Sequence, residues 1–327
     1  MILVYLSKYE KHLKKFCAYL LLGIMRLLSA LPLKVHYFLC RGLSLLVEHV
    51  FRYRRNVVRI NLENSFPDKS PEEIADITHK FYKHFGDILA EAIWFGKYRR
   101  RETLRRKGIA HFDNIEGHRE DFENALGTMV LTSHCGNWEI MGGWFAYAPY
   151  GSLGYVEDKI TVVYKSLSSK VWDIIMNDNR LAPLLRTEFN GYVDSTKVLR
   201  HALEHRNEKR TYVFPTDQYP YKNATKHEVG DFLGQKTLAM TGGAALAHKL
   251  GMAVEYMSFE LVARGEYRMR FETICRDAST MSPEGIMEQY YRLLERDIQA
   301  QPWNYLWTHK RWKNLYDYKK KTDNNKN

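Results

Sequence analysis

Thr128-Met129-Val130-Leu131-Thr132-Ser133-His134-Cys135-Gly136-Asn137-Trp138-Glu139 is the stretch from which the rest of the chain can be read. Its first half is an apolar run of strand length. Its second half brings a histidine, a glycine and a carboxylate into the turn that follows. Five residues of regular helix turn through about 500°, which would leave His134 and Glu139 on different faces. The two meet only if His134 closes the strand, Gly136 permits a sharp turn and Glu139 enters the first helical turn. The carboxylate would then orient the imidazole and make it a better base, and a helix N-terminus favours a negative Glu139. The spacing does not suit zinc: there is no His-Glu-x-x-His, and Cys135 has no second cysteine at ligand distance. No Gly-x-Ser-x-Gly nucleophile elbow is present.

Outward from this segment the chain alternates. Thr128–Thr132, Ile160–Tyr164, Thr211–Pro215, Met252–Phe259 and Tyr267–Ile274 read as strands. Helices are expected near Asn137–Ala146, Ser169–Arg180, Ser195–His205, Thr241–Leu250 and Pro283–Ala300. The alternation predicts a single α/β layered domain with a mixed, partly parallel sheet flanked by helices, its last two strands a hairpin turned at Arg264-Gly265-Glu266. Upstream, Ile74, Ile77, Phe81, Phe85, Leu89 and Ile93 recur at three and four. They predict an amphipathic helix begun by Ser70-Pro71, with an aromatic stripe that belongs to the core.

The 327 residues carry a formal net charge of +11, and 13% of them are aromatic, so the chain can bury a sizeable core and an anionic partner is expected. Charge alone does not separate nucleic acid from an anionic membrane surface. The N-terminus does. Phe16–Met25 is apolar apart from Gly23, Leu27–Leu33 continues it beyond Arg26, and Val35–Val50 follows with Arg41 and Glu48. Lysines 8, 11, 14 and 15 precede these segments, and Arg52, Arg54 and Arg55 follow them. One or two helices embedded in the membrane interface fit this pattern, as does one tilted span; a buried hairpin of soluble helices and a signal peptide are the competing readings. The expected organisation is membrane-anchoring helices over residues 1–55, a catalytic domain over 56–318 and a polar tail over 319–327. The basic run Lys97–Lys107 is either a solvated face or a phosphate-binding one. Four scattered cysteines suit a reduced, cytosol-facing protein.

The His-Cys-Gly-Asn-Trp-Glu motif, a Glu form of the His-x4-acid signature of glycerolipid acyltransferases, resembles the late acyltransferases of lipid A biosynthesis, the lauroyl and myristoyl transferases. Other blocks resemble that family in the same order: Asn61-Leu62 through Phe66-Pro67, Val163-Tyr164-Lys165 (with lysine where the family has arginine), Asp217-Gln218, Phe232-Leu233-Gly234 with Thr237 and Thr241-Gly242-Gly243-Ala244, and Gln301 through Lys313. The resemblance implies a cofactor-free, metal-free O-acyl transfer from acyl carrier protein to a lipid A precursor, at the cytoplasmic face of a bacterial inner membrane. His134 would be the general base and Glu139 would hold one of its ring nitrogens. Backbone amides around Gly136, or a nearby cation, would receive the negative charge developing on the thioester carbonyl. Asn137, Lys165, Arg180, Asp217 and Gln218 are the candidate substrate-binding residues. At position 165 the bidentate fork of arginine is lost, and Cys135 is expected to be a small buried neighbour of the base. Met141, Trp144 and Phe145 are candidates to line an acyl pocket. The expected partners are the carrier protein, a glycolipid acceptor and the membrane, not nucleic acid. The same chemistry on another glycolipid, an aminolipid or a polyene precursor is the first alternative. A basic membrane- or nucleic-acid-binding protein, using the aromatics interleaved with Arg and Lys at Tyr98–Lys107 and Trp303–Lys313, is the second.

Overall fold

A computed structural model describes residues 2–96, 101–183, 191–222 and 224–313, with side chains from residue 12 onward. The polar tail over 319–327 and part of the basic run after the long helix lie outside these residues. Two helices come first, α1 (Ile2–Leu28) and α2 (Leu33–Leu45), and a π-helical turn over Leu46–Val50 ends the second. Then follow α3 (Arg55–Ser65), α4 (Pro71–Phe95) and α5 (Arg101–Lys107). The α/β part comprises β1 (Ala110–Asp113), α6 (Ile115–Asn124), β2 (Thr128–Thr132), α7 (Trp144–Tyr147), β3 (Ile160–Tyr164), α8 (Lys170–Arg180), β4 (Tyr192–Asp194), α9 (Val198–Glu204) and β5 (Thr211–Pro215). The chain continues through β6 (Lys226–Phe232), β7 (Gln235–Met240), α10 (Gly242–Leu250), β8 (Ala253–Ala263), β9 (Glu266–Cys275) and α11 (Pro283–Ala300).

Seven strands form one sheet in the order β1-β9-β8-β2-β5-β3-β4, and β6 and β7 form a separate antiparallel pair. Every pairing in the large sheet is parallel except β8 with β9, the expected hairpin. All five residues of β2 are buried, as the continuous apolar run of a central parallel strand requires. Long helix α4 starts where Ser70-Pro71 predicts. The Ser70 side chain caps the amide of Glu73, and Glu73 returns a bond to the amide of Ser70. Phe81, Tyr82, Trp94 and Phe95 from α4 enter the main core with Met129, Val130 and Leu131 of β2.

The helix expected over Asn137–Ala146 is broken. A 3-10 stretch, Trp138–Gly143, precedes the short α7. The cause is packing, because a side chain at Gly142 would overlap the carbonyl oxygen of Arg180 at the end of α8. Backbones that approach so closely need glycine, and glycine weakens the helix it interrupts.

No helix among the described residues is long and apolar enough to cross a membrane. Both N-terminal helices expose hydrocarbon, and the second is amphipathic in an inverted sense. On α1 a narrow stripe, Ala18 and Leu22, is buried, with Ser29 buried just past its end, while Leu13, Phe16, Leu20, Ile24 and Leu27 are exposed. Arg26 ties this helix to α8 through both oxygens of Asp178. On α2 the buried side chains are His36, Tyr37, Cys40 and Ser44, and Phe38 (78% exposed), Leu39 and Leu43 face outward. Polar groups pointing in and hydrocarbon pointing out reverse the pattern of a helix in a soluble bundle.

Candidate active site

The register of two neighbouring strands builds the site. Thr132 of β2 lies beside Pro215 of β5, and the ladder runs one step further, with the Thr216 amide donating to the Thr132 carbonyl at 3.1 Å. One residue beyond, at the carboxyl ends of both strands, His134 meets Asp217. Ligand sites in open α/β sheets gather at that edge. His134 Nδ1 lies 2.7 Å from Asp217 Oδ1, and the His134 backbone amide donates to Asp217 Oδ2 at 3.1 Å. The carboxylate therefore fixes both the ring and its backbone. Gln218 Nε2 lies 3.1 Å from His134 Nε2. With the Nδ1 proton shared with Asp217, the neutral ring offers its lone pair at Nε2, and the Gln218 amide caps it.

The Asp217 side chain is 1% exposed and that of His134 16%. Burial pulls the imidazole pKa down, but the charge and hydrogen bond of Asp217, with a further contribution from Glu139, outweigh it, and the net shift is upward. Burial also raises Asp217, yet His134 and two backbone amides bring it below its ordinary value. Each partner holds the other ionised.

Glu139 does not hold the ring nitrogen, contrary to the sequence expectation. It forms a two-pronged pair with Arg180, whose Nε and Nη2 each donate at 2.9 Å, and it accepts from Trp138 Nε1 at 3.0 Å. The 3-10 geometry after Asn137 turns the Glu139 carboxylate toward the end of α8. Trp138 links the two halves, its ring packing edge-on against His134 at 5.1 Å between centroids. Glu139 thus acts on the imidazole through its field and through Trp138.

Asn137 is fully buried and its amide is engaged inside the protein, so it positions the turn and does not reach a substrate, another correction. It donates to Glu91 Oε2 at 2.8 Å and to the Ile88 carbonyl at 3.3 Å, and its oxygen accepts from the Glu139 amide at 3.2 Å. Glu91, at the heart of this network, also accepts from Tyr37 at 2.7 Å and Tyr267 at 2.6 Å. Burial pushes its carboxyl up to about 7, against the pull of those donors. No sequence signal marked Glu91, since a lone glutamate on a long helix usually faces solvent. Lys165 is exposed, and its ammonium sits 3.2 Å from the centroid of the Tyr221 ring. Arg180 is taken up by Glu139. Arg311 is buried, bonded to the Leu238 carbonyl and the Tyr291 hydroxyl, and is a core cation between Trp307 and Trp312, not a substrate contact. Cys135 is buried and burial raises its thiol well above the ordinary range, which leaves no thiolate nucleophile there.

A narrow cleft lies beside His134, lined by Phe81, His84, Phe85 and Ile88 of α4 with Gly136, Trp138, Asn304, Tyr305 and Leu306. Gly136 makes the wall possible. Its φ of +63° suits glycine, and any side chain would fall inside the Phe259 ring. The expected pocket residues Met141, Trp144 and Phe145 do not line the cleft; Trp144 packs against Phe112 and Phe271 instead. Among the described residues the one His/Cys/Asp/Glu group with converging donor atoms is Glu48, His49 and His79. Arg41 and Glu48 already engage the two ring nitrogens of His79, at 3.2 and 3.1 Å, so this group is closed on itself.

An imidazole–carboxylate pair at a strand edge, a capped lone pair and an aromatic cleft suit proton abstraction from a hydroxyl beside an apolar substrate. Comparison with known proteins agrees. Over residues 6–314 the chain matches the family model described as bacterial lipid A biosynthesis acyltransferase. It is 22% identical over 301 residues to the lipid A biosynthesis palmitoleoyltransferase of Escherichia coli (strain K12), covering 89% of each chain. The same identity and coverage hold for the lipid A biosynthesis acyltransferase of Shigella flexneri. With a match that spans nearly its whole length, this chain belongs to the bacterial lipid A biosynthesis acyltransferase family.

Proposed function

We propose that this protein moves a fatty acyl chain from the thioester of acyl carrier protein to a hydroxyl of a lipid A precursor, at the cytoplasmic face of a bacterial inner membrane. The observation that carries the chemistry is His134, held at Nδ1 by Asp217 and lining an apolar cleft. The acceptor hydroxyl displaces Gln218 from Nε2 and gives its proton to that nitrogen as its oxygen attacks the thioester carbonyl. The tetrahedral intermediate collapses, the C–S bond breaks, and the imidazolium returns the proton to the departing thiolate. Asp217 stabilises the imidazolium between these steps and stays ionised. The reaction closes on the chain's own groups, with no acyl-enzyme.

Membrane association is supported by the hydrocarbon that α1 and α2 expose, with Phe16, Leu27, Phe38 and Leu39 on their outward faces. The net charge of +11 favours an anionic lipid surface and the acidic carrier protein alike. The direct test is transfer of a labelled acyl chain from carrier protein to lipid A precursor in mixed micelles. His134→Ala should remove turnover, lowering it by at least about 1,000-fold, with a native fold by circular dichroism and unchanged binding to vesicles. Near-normal turnover in that variant would end the proposal.

A further inference from the structure

The negative charge that develops on the thioester oxygen needs a donor, and most of the backbone amides near the base are already engaged. The amides of His134, Cys135, Gly136, Glu139 and Ile140 are all engaged, by Asp217, Ser133, Asn304, the Asn137 side chain and the Asn137 carbonyl respectively. Arg180 is held by Glu139, and Lys165 lies outside the cleft on Tyr221. Of the polar side chains lining the cleft, Asn304 is occupied by Gly136, Phe259 and Gln301, the Trp138 indole N–H by Glu139, and the Tyr305 hydroxyl donates to the Asp217 carbonyl at 3.5 Å. His84 is different. It projects from α4 on the face shared by Phe81, Phe85 and Ile88, it is 5% exposed, and neither ring nitrogen makes a hydrogen bond of good geometry, although the occupied Asn304 side chain is near enough to favour its charged form.

Resting on the acyl-transfer reading, we infer that His84 is the donor that stabilises the oxyanion, its ring N–H meeting the acyl carbonyl oxygen as the hydroxyl activated by His134 attacks the carbon. The two imidazoles that share the cleft then have opposite duties. His134 takes and returns a proton, while His84 keeps its own and contributes only a hydrogen bond. Burial keeps His84 neutral, its pKa pushed down to about 4 despite a small opposing pull from Asn304, so it presents one N–H at neutral pH without bringing a cation into the apolar cleft. An unpaired polar ring among Phe81, Phe85, Ile88 and Leu306 is costly in the resting protein. A carbonyl that gains negative charge only during reaction recovers that cost in the transition state, where it accelerates the chemistry.

The test compares His84→Phe and His84→Gln with the full-length parent, in micelles holding acyl carrier protein thioester and lipid A precursor. His84→Phe should lower kcat by about 100- to 1,000-fold, the range for loss of one oxyanion donor, with little change in KM. Its melting temperature should hold or rise, since an unpaired polar group has left an apolar wall. His84→Gln keeps a donor and should recover part of the lost kcat. Full activity in His84→Phe would overturn the inference. Equal losses in both variants with lowered melting temperatures would also overturn it, by showing a packing role alone. A parent that transfers no acyl chain, in an assay where a known lipid A acyltransferase does, would instead bring down the function on which the inference rests.

Discussion

The proton between His134 and Asp217 governs when the imidazole can act. The upward shift of His134 means that the neutral, base-competent ring predominates only at a pH above the ordinary 6.5. We therefore expect kcat/KM to rise with pH through an inflection above that value. Asp217→Asn removes the opposing charge and leaves burial dominant, so the inflection should move to lower pH while the maximal rate falls. A pH profile of both proteins decides the point. The same pair contributes to stability with a definite sign. His134, raised in the fold, contributes fully below its unfolded pKa and loses that contribution as pH climbs through its folded value. Asp217, lowered in the fold, contributes above its unfolded pKa and loses that as pH falls through its folded value. Glu139 and Arg180 form one unit, so Glu139→Ala and Arg180→Ala should not be additive. A double-mutant cycle on turnover should return a coupling of about 1–3 kcal/mol; additive losses would show that the two act separately. His134 was legible in the sequence because a glycine turn follows a fully apolar strand. Its partner was not, since it comes 83 residues later and arrives only through the parallel register of β2 and β5. Proximity in sequence favoured Glu139, and the 3-10 turn carries that carboxylate to Arg180.

The turn between β2 and α7 is the element on which the site depends. Gly142 lets it touch the end of α8, and that contact aligns Glu139 with Arg180. Gly142→Ala should push the turn away, costing about 1–3 kcal/mol in stability and lowering turnover with it; thermal unfolding beside the acyl-transfer assay checks both. The five strands expected from apolar runs are all present in the sheet, together with the closing hairpin. Four further strands were not legible. The first and fourth, Ala110–Asp113 and Tyr192–Asp194, are too short to show a period of two. The pair β6 and β7 is largely polar and lies outside the main sheet, so its sequence carries no buried-strand signal.

At the scale of the molecule, the cleft and the apolar surface share a scaffold. The α2 helix packs on α4, α4 lines the cleft with Phe81, Phe85 and Ile88, and Glu91 joins α2, β9 and the catalytic turn through Tyr37, Tyr267 and Asn137. Charged residues placed on the outward face test what that face meets. Phe38→Glu with Leu39→Glu should sharply reduce sedimentation with anionic vesicles and leave the fold intact by circular dichroism; unchanged sedimentation would remove α2 from the contact. The N-terminal apolar runs were plain in the sequence, but the inward polar stripe of α2 was not, because it depends on what α4 offers it to pack against.

Bare hydrocarbon over so much of the first two helices has a kinetic corollary. On the proposed reading the enzyme rests on a bilayer and meets a glycolipid acceptor by lateral diffusion in two dimensions. Its velocity then follows how crowded the leaflet is with acceptor molecules, and added inert phospholipid slows it even when the amount of acceptor per litre stays fixed.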